Sequence, residues 1–253
     1  KWPDGFHCTR QFWSHAPLHD HMPEINQMFS GGEQQNIRTT NFGVWVLSND
    51  THISRWVEDQ KRLDFDVPFM SKICQYIKPG DVVVDVGAFI GDHTWAYACA
   101  TRGINGGRVL AFEPNRLPYE CLRRNMSGHG HVECINKGLG DKPGSMSIAM
   151  SPNVGASHLQ PGSGIEIVTL DSYNLDRCRL IKVDAEGFEL QVLRGADHTI
   201  SRCAPTIVME INAGALAKQG ASANDIYIWL YNHNYRIEGI VDGPQFDIFA
   251  FPL

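Results

Sequence analysis

The amino-acid sequence predicts an α/β fold with a mostly parallel sheet, a closing antiparallel hairpin and an irregular N-terminal arm. The stretch VVVDVGAFIGDHT (82–94) joins apolar β-branched residues to glycines, which is typical of a buried parallel strand that turns into a helix. Strand and helix patterns then alternate along most of the chain. Two strand patterns, YRIEGIV and FDIFAFP, follow each other at the end and predict the hairpin.

Composition and charge limit the classes of function. With 253 residues, of which 43% are hydrophobic and 20% charged, the chain can bury one sizeable core. Its formal net charge of -6 disfavours bulk binding of DNA or RNA. The seven cysteines include no C-x-x-C pair, and no apolar run is long enough for a membrane span. We therefore expect reduced cysteines, no membrane partner and a cytoplasmic location.

Residues 1–65 are predicted to form an N-terminal arm or lid with short strands, and residues 66–253 the main domain. Prolines and glycines interrupt the first 40 residues, and the next apolar pattern predicts a hairpin or short strand at 42–48. The arm contains five potential zinc ligands, which are His7, Cys8, His15, His19 and His21. Only His15 and His19 have the spacing of paired ligands, so packing of the arm is the preferred interpretation and no metal-binding residues are assigned.

The elements of the main domain are predicted from apolar spacing and from the residues that end helices. A helix over FDVPFMSKICQYIK ends at Pro79-Gly80, and the strand at 82–86 leads into a helix that ends at Gly103. The later predicted elements are a strand at 108–114, a helix at 117–126, a strand at 131–141, an inserted hairpin of 145–150 with 165–170, a strand at 179–187, a helix at 188–197, a strand at 205–212 and a helix at 222–234 with Ser222 as its N-cap.

A ligand site is predicted at the carboxyl end of the strand at 82–86, because open parallel sheets bind ligands beyond that edge. Asp85 precedes Gly87 and Gly91, whose bare backbones allow a ligand to approach closely. Glu113 ends the second strand and can accept hydrogen bonds from ribose hydroxyls, and Asp141 follows the third and can accept from an adenine amine. Singly, these features are also typical of a tight turn and of solvated carboxylates. Together they predict an adenosine site.

The spacing of the glycine loop favours S-adenosylmethionine (SAM) over a dinucleotide. A dinucleotide site has G-x-G-x-x-G beside a pyrophosphate, whereas this chain has D-x-G-x-x-x-G. A carboxylate at the first position repels pyrophosphate and attracts the ammonium and sulfonium groups of SAM. The closing hairpin likewise favours a class I methyltransferase sheet over that of a dehydrogenase.

Five ordered stretches resemble a known family: KPGDVVVDVGAFIGDHT, FEPNRLPYECLRRN, GLGDKPG, TLDSYNLDRCRLIKVDAEGFELQVLRGA and PTIVMEIN. Together they resemble the FkbM family of SAM-dependent methyltransferases over residues 43–251. The resemblance implies a Rossmann-like class I methyltransferase fold, SAM as the cofactor, and methylation of hydroxyls on macrolides, sugars or other glycans. With the loop analysis, it indicates a cofactor-binding set of Asp85, Gly87, Ala88, Phe89, Gly91, Glu113, Asn115, Asp141 and Asp184. Departures from the family pattern at Phe89, Arg116, Ala185 and Phe188 leave this set intact and concern the substrate.

Catalytic residues are predicted at the carboxyl end of the fourth strand, in the stretch IKVDAEGFE. Methyl transfer to oxygen requires an aligned acceptor and a group that takes its proton. We assign these roles to Asp184 and Glu186, with Lys182 beside them and His93 as a candidate base. The alternatives are that Lys182 forms a structural ion pair with Glu186 or with Glu210, and that His93 only occupies the first turn of a helix.

A metal-assisted variant uses the same strand ends. Asp184, Glu210 and Asn212 would supply three oxygen ligands for Mg²⁺. A network of hydrogen bonds would use the same residues, so SAM is the main cofactor expected and Mg²⁺ is the minor alternative.

The leading functional hypothesis is a SAM-dependent O-methyltransferase that acts on a hydroxyl of a sugar, glycan or polyketide-like small molecule. One alternative is a nucleic-acid methyltransferase for ribose 2'-hydroxyls, in which Lys182 and Asp184 belong to a catalytic Lys/Asp cluster; the acidic net charge opposes it. The other alternative is a scaffold module that binds SAM without turnover, because a fold does not determine a function.

Overall fold

The computed structural model describes residues 36–63, 67–103, 106–151, 153–239, 241 and 243–253. The arm before residue 36, with its five potential zinc ligands, lies outside the described residues. In chain order the elements are β1 (Ile37–Thr39), β2 (Trp45–Leu47), α1 (Ile53–Gln60), α2 (Val67–Cys74), β3 (Val82–Val86), α3 (Thr94–Thr101), β4 (Arg108–Phe112), α4 (Arg116–Asn125), β5 (Val132–Ile135), β6 (Gly138–Leu139), β7 (Gly144–Ala149), β8 (His158–Pro161), β9 (Ile165–Val168), β10 (Leu180–Val183), α5 (Glu189–Gly195), α6 (Asp197–Cys203), β11 (Thr206–Asn212), α7 (Ala213–Lys218), α8 (Ala223–Asn232), β12 (Tyr235–Glu238) and β13 (Gln245–Pro252).

Seven strands form the central sheet in the order β12-β13-β11-β10-β3-β4-β5. The strands β11, β10, β3, β4 and β5 are parallel, while β13 pairs antiparallel with both β11 and β12. The predicted fold class, a mostly parallel Rossmann-like sheet with a C-terminal antiparallel hairpin, is therefore confirmed. All five residues of β3 are buried, which explains its continuous apolar run. The next strand in the chain, β4, pairs with one side of β3, and the later strand β10 pairs with its other side. Because the connections run in opposite directions from β3, a crevice opens at the carboxyl ends of these strands.

The inserted hairpin predicted between the third and fourth strands is part of a larger structure. The two predicted stretches do pair antiparallel, as β7 and β9, but they belong to a four-stranded sheet in the order β6-β9-β7-β8. The strand β8 pairs with the other edge of β7 and has one buried apolar residue, Leu159. A single apolar residue gives no alternating pattern, so the sequence did not predict β8. In the structure its Leu159 packs against Ile167 and Phe188.

Three helices were not predicted from the sequence. The helix α1 follows the N-terminal hairpin, where Ser54 N–H donates to Asp50 Oδ2 at 2.6 Å and Leu47 N–H donates to Ser54 Oγ at 3.1 Å. The predicted helix at 188–197 is α5, and the separate helix α6 follows it. The helix α7 begins directly after β11, with Asn212 as its N-cap. The predicted N-cap of α8 is confirmed, because Ser222 forms a capping box with Asp225.

No helix within the described ranges is both long enough and apolar enough to cross a bilayer. The six described cysteines are free thiols, and burial raises the pKa of Cys74, Cys121 and Cys134 to about 12. The thiols of Cys74, Cys121 and Cys134 are therefore uncharged and lie in or against the hydrophobic core. The cytoplasmic location stays a prediction.

The side chain of Asn125 joins the N-terminal hairpin to the glycine loop after β3. Its Oδ1 accepts from the Trp45 N–H at 2.7 Å, and its Nδ2 donates to the carbonyl oxygens of Trp45 at 2.9 Å and Ile90 at 2.8 Å. The Arg124 guanidinium lies 4.0 Å from the centroid of the Trp45 ring. One amide thus satisfies three backbone groups from two segments that are distant in sequence.

We expect Asn125→Ala to lower the free energy of unfolding by about 2–3 kcal/mol, because it leaves three partly buried backbone groups without their hydrogen bonds. Urea denaturation monitored by circular dichroism measures the change. The matched control is Asn49→Ala, which removes one exposed hydrogen bond to Asn36 and should cost about 0.5 kcal/mol or less. Equal losses in the two variants would contradict the role of Asn125.

Candidate functional site

A cavity of about 350 Å³ lies at the carboxyl ends of the central strands, a size typical of small-molecule sites. Its floor comes from the ends of β3, β4, β10 and β11, which contribute Gly87, Glu113, Asp184 and Glu210. The inserted sheet and the segment before β8 contribute a further wall of Ile148, Asn153, Val154, Gly155, Ser157, His158 and Leu159. The cavity is therefore where the sequence predicts a site, but much of its wall comes from the insertion.

Most of the predicted site residues line this one cavity. They are Gly87, Ala88, Phe89, His93, Glu113, Asn115, Lys182, Asp184 and Glu186. Asp85, Gly91 and Asp141 are absent from its described lining. Asp85 is fully buried, and its Oδ2 accepts from Thr94 Oγ1 at 2.6 Å. Asp141 is exposed at the surface.

The two glycines of the loop serve backbone packing as well as access. Gly87 has φ +78, and a Cβ there would clash with the carbonyl oxygen of Asp184. The N–H groups of Gly87 and Ala88 both donate to Phe112 O at 3.0 Å. A Cβ on Gly91 would lie 3.0 Å from Leu122 Cδ1 of α4. From the sequence, we explained these glycines by the close approach of a ligand to the backbone. The structure shows that their missing side chains also allow the loop to pack closely against the ends of β4 and β10 and against α4.

Glu113 is a buried carboxylate at the end of β4 with both oxygens facing backbone donors. Its Oε2 accepts from Phe89 N–H at 2.9 Å and its Oε1 from Asn115 N–H at 2.7 Å. Burial raises the pKa of Glu113 to about 7, although these two hydrogen bonds oppose the shift. Each oxygen keeps a second lone pair for a ligand hydroxyl. Phe89 lines the cavity beside it with φ 47, a left-handed conformation that is rare for an aromatic residue.

Lys182 is a buried ammonium in the centre of the sheet, with 4% of its surface exposed. Its Nζ lies 2.8 Å from Asp184 Oδ2, and in the pairing of β10 with β3 it lies opposite Asp85. Burial lowers the pKa of Lys182, but Asp184 and Asp85 outweigh that effect and raise it above the ordinary value. The ion pair of Lys182 is thus with Asp184, so the alternatives that paired it with Glu186 or Glu210 are wrong.

Three carboxylates, Asp184, Glu186 and Glu210, meet beside this ion pair, with one oxygen of each within 4.8 Å of the others. Burial and repulsion by Asp184 and Glu210 raise the pKa of Glu186 to about 8. Burial and repulsion by Asp184 raise the pKa of Glu210 to about 7, while Gln245 Nε2 donates to Glu210 Oε1 at 2.7 Å. The cluster therefore carries exchangeable protons near neutral pH.

The turn that carries Glu186 is strained and is stabilised by a second carboxylate. Glu186 has φ 48, and Gly187 follows it with φ +102. The Oε1 of Glu189 accepts from the N–H groups of Ala185 at 3.1 Å and Gly187 at 3.0 Å. Glu189, the last residue of the stretch IKVDAEGFE in which catalytic residues were predicted, is buried and stabilises the turn.

The magnesium set proposed from the sequence does not assemble as expected. Asn212 Oδ1 accepts from Ala215 N–H at 3.1 Å and caps α7, so Glu186 takes its place beside Asp184 and Glu210. Three carboxylates at this spacing could accept a divalent cation. No other feature of the described residues points to one.

His93 is a weaker base than the sequence suggests. Burial lowers its pKa to about 3, and the nearby Lys182 further disfavours the imidazolium. Sequence reasoning missed its neighbour Asp92, which lines the cavity and whose pKa burial raises to about 7. It also missed Gln245 and Asp247 of β13, because no motif marks them and only the antiparallel pairing with β11 brings them to the site.

Comparisons with known proteins show the family of this chain. A family model described as the methyltransferase FkbM domain matches residues 85–237. The hexuronic acid methyltransferase AglP of Haloferax volcanii is 32% identical over 145 residues, covering 53% of this chain and 57% of that protein. This chain therefore spans little more than half the length of that curated relative.

Two solved structures are more distant. The methyltransferase FkbM of Methylobacillus flagellatus KT is 20% identical with a TM-score of 0.49, covering 68% of this chain and 44% of that chain. A SAM-dependent O-methyltransferase of Thermotoga maritima is 14% identical with a TM-score of 0.47, covering 87% and 78% of the two chains. Because the family model spans more than half of the residues and includes the glycine loop, Lys182 and β11, the chain belongs to the methyltransferase FkbM domain family.

Proposed function

We propose that this chain is a SAM-dependent O-methyltransferase whose acceptor is a hydroxyl of a sugar, a glycan or a polyketide-like small molecule. The observation that carries the proposal is the shared cavity. It brings the buried carboxylate of Glu113 and the cluster of Asp184, Glu186 and Glu210 into one space of about 350 Å³. The curated relative is named a hexuronic acid methyltransferase, and this supports a sugar as the acceptor class.

The residues present fit SAM. When bound, SAM supplies a methyl group activated by its positively charged sulfonium. The free lone pairs of Glu113 would hold the ribose hydroxyls, and the carboxylates beside Lys182 would face the cationic groups. The role of Asp141 with the adenine amine stays a prediction, and its exposed position outside the described lining does not favour it.

Glu186 is the group that we assign to proton removal. General-base catalysis is most efficient when the pKa of the base lies near the working pH, and the pKa of Glu186 is about 8. In its ionised form Glu186 can accept the proton that the acceptor hydroxyl loses on methylation. Asp184, held by Lys182 at 2.8 Å, and Glu210, held by Gln245 at 2.7 Å, are positioned to orient that hydroxyl.

The two alternatives from the sequence have less support. The ion pair of Lys182 with Asp184 is compatible with a Lys/Asp cluster for ribose methylation. However, the carboxylates of the cavity and the net charge of -6 disfavour a polyphosphate chain. A scaffold that binds SAM without turnover would not need a cluster of carboxyl groups that exchange protons near neutral pH.

Isothermal titration calorimetry tests the cofactor assignment. We expect micromolar binding of SAM and of its demethylated product, and at least about tenfold weaker binding by Glu113→Ala, because charge-assisted hydrogen bonds to the ribose are lost. Asp176→Asn changes an exposed carboxylate outside the cavity and is the control. A folded, ligand-free wild-type chain that binds neither compound would overturn the proposal.

The pH dependence of turnover tests the base. We expect kcat/KM to rise with pH between about 6 and 9 with an apparent pKa near 8, because only ionised Glu186 can accept the proton. We expect Glu186→Gln to lose about 10²–10⁴ in kcat and to lose this dependence, while SAM binding persists. A Glu186→Gln variant that keeps both turnover and the rise would assign the base elsewhere.

The carboxyl group of Glu186 should also make the free energy of unfolding depend on pH. Its pKa in the folded protein lies above the ordinary glutamate value of 4.5, so folding favours the protonated form, and the loss of stability from ionising it grows as pH rises from about 5 to 8. Without ligand, Glu186→Gln should therefore gain about 1–3 kcal/mol in free energy of unfolding over wild type across this range. Urea denaturation at pH 5, 6.5 and 8 measures the gap, and a gap that is constant with pH would contradict the shift.

A further inference from the structure

Glu189, the first residue of α5, carries a buried carboxyl group that takes no part in the chemistry assigned above. Only 1% of its surface is exposed, and it is not part of the described lining of the cavity. Its Oε1 accepts hydrogen bonds from the N–H groups of Ala185 at 3.1 Å and Gly187 at 3.0 Å. These two N–H groups stand on either side of Glu186, the residue assigned to proton removal. One buried oxygen therefore fixes the backbone before and after the base.

The backbone of Glu186 depends on this support. Its φ of 48 is a left-handed conformation that is rare for a residue with a side chain and that persists only where surrounding contacts fix it. The hydrogen bonds from Ala185 and Gly187 to Glu189 are such contacts. Without an acceptor oxygen at this place, two backbone N–H groups would lose their partner, and Glu186 could relax to an ordinary backbone conformation. Its side chain would then point in another direction.

The far end of the same turn is fixed by packing against α7 and the inserted sheet. A Cβ on Gly187 would lie 2.5 Å from Ala215 O of α7, so the backbones meet closely there. Gln219 of α7 donates from Nε2 to Leu159 O of β8 at 2.7 Å, and Leu159 packs against Phe188. Because these contacts hold the end of the turn in place, the hydrogen bonds to Glu189 set the conformation of Glu186 relative to a fixed neighbour.

The direction of the Glu186 side chain matters because its neighbours in the cavity are fixed on the sheet. One oxygen each of Asp184, Glu186 and Glu210 lies within 4.8 Å of the others. Asp184 is held by Lys182 at the end of β10, and Glu210 is held by Gln245 on β11, whereas Glu186 reaches them from the turn. A general base must lie within hydrogen-bond reach of the proton that it accepts. The conformation of the turn therefore decides whether Glu186 meets the acceptor hydroxyl.

From these contacts we infer that Glu189 is a positioning residue for methyl transfer, which fixes the left-handed turn and thereby directs the carboxyl group of Glu186 at the acceptor hydroxyl. The inference rests on the proposed methyltransferase function and adds to it a residue that acts through the base. The turn requires one acceptor oxygen from residue 189. Glutamine supplies a carbonyl oxygen at the same place, whereas leucine has a similar size and no acceptor.

The first test compares wild type, Glu189→Leu and Glu189→Gln in methyl transfer from radiolabelled SAM to methyl glucosides, galactosides, mannosides and their uronic acid counterparts. We expect Glu189→Leu to lower kcat by about 10²-fold and to change the acceptor KM and the Kd for SAM by less than about threefold, because only the base is displaced. Glu189→Gln should keep kcat within about threefold of wild type, since its carbonyl oxygen still accepts from both N–H groups.

The matched control is Asp171→Leu. Asp171 also accepts from two backbone N–H groups at the start of a helix, those of Thr199 at 2.8 Å and His198 at 3.0 Å in α6, and it is not part of the described lining of the cavity. Asp171→Leu should lower the free energy of unfolding about as much as Glu189→Leu and leave kcat unchanged. Equal losses of kcat in the two variants would assign the effect to stability and overturn the inference.

The second test follows the titration of Glu186 and needs no acceptor. Burial and the charges of Asp184, Glu210 and Glu189 raise the pKa of Glu186 to about 8, while Lys182 opposes them. If Glu189→Leu releases the turn, the side chain of Glu186 moves away from this environment and its pKa falls toward the ordinary glutamate value. Glu189→Gln removes the charge of Glu189 but keeps the turn, so it should lower the pKa much less. Asp171→Leu should not change it.

Carbon-13 NMR of the chain labelled at its glutamate carboxyl carbons measures this titration, and Glu186→Gln identifies the signal. A folded Glu189→Leu variant in which Glu186 titrates as in wild type would overturn the inference and leave the methyltransferase function standing. A Glu189→Gln variant as impaired as Glu189→Leu would also overturn it, because the acceptor oxygen would then not be what matters. If Glu189→Leu does not fold, Glu189→Asp, whose carboxyl group is withdrawn by one methylene, replaces it.

The two tests separate the inference from the proposed function. If wild type binds SAM and methylates none of these glycosides, the proposed sugar acceptor fails, and the titration still decides whether Glu189 positions Glu186. If wild type methylates a glycoside and Glu189→Leu keeps its kcat, the function stands and the inference fails.

Discussion

The buried ammonium of Lys182 is the interaction on which the rest of the site depends. A charge in the middle of a sheet costs several kcal/mol unless carboxylates surround it. Here Asp184 lies 2.8 Å away, Asp85 lies on the next strand, and Asp92 contributes from the start of α3. Lys182 therefore holds the acidic side chains around it in place, and these side chains in turn stabilise its buried positive charge.

This charged centre requires the carboxyl ends of three strands to meet closely. The absence of a side chain at Gly87 lets its backbone meet the carbonyl oxygen of Asp184, and the same loop donates two hydrogen bonds to Phe112 O. Two non-glycine residues near this point, Phe89 and Glu186, have left-handed backbones, which cost about 1 kcal/mol or more each. Such strain persists only where surrounding contacts hold it, as Glu113 holds Phe89 and Glu189 holds the turn of Glu186.

The cavity divides into two chemically different ends. At the Glu113 end a buried carboxylate faces backbone donors and keeps lone pairs for hydroxyls. At the end beside Lys182 several carboxyl groups crowd together, so burial and mutual repulsion raise the pKa of Glu186 to about 8. The inserted sheet and the segment before α1 close the space above both ends. This arrangement accounts for a carboxyl group that can exchange its proton near neutral pH.

The sequence by itself determined the alternation of the main strands and helices, the closing hairpin and the resemblance to the family, and most of the site residues that it predicted do line the cavity. It could do so because buried parallel strands, glycine turns and strand-end carboxylates are local patterns. Only the tertiary structure decided that Lys182 pairs with Asp184, that Asn212 caps a helix, and that Gln245 and Asp247 join the site from β13. The pKa values of Glu186 and His93 were also decided there, since burial and the distance between charges depend on segments that are far apart in the chain.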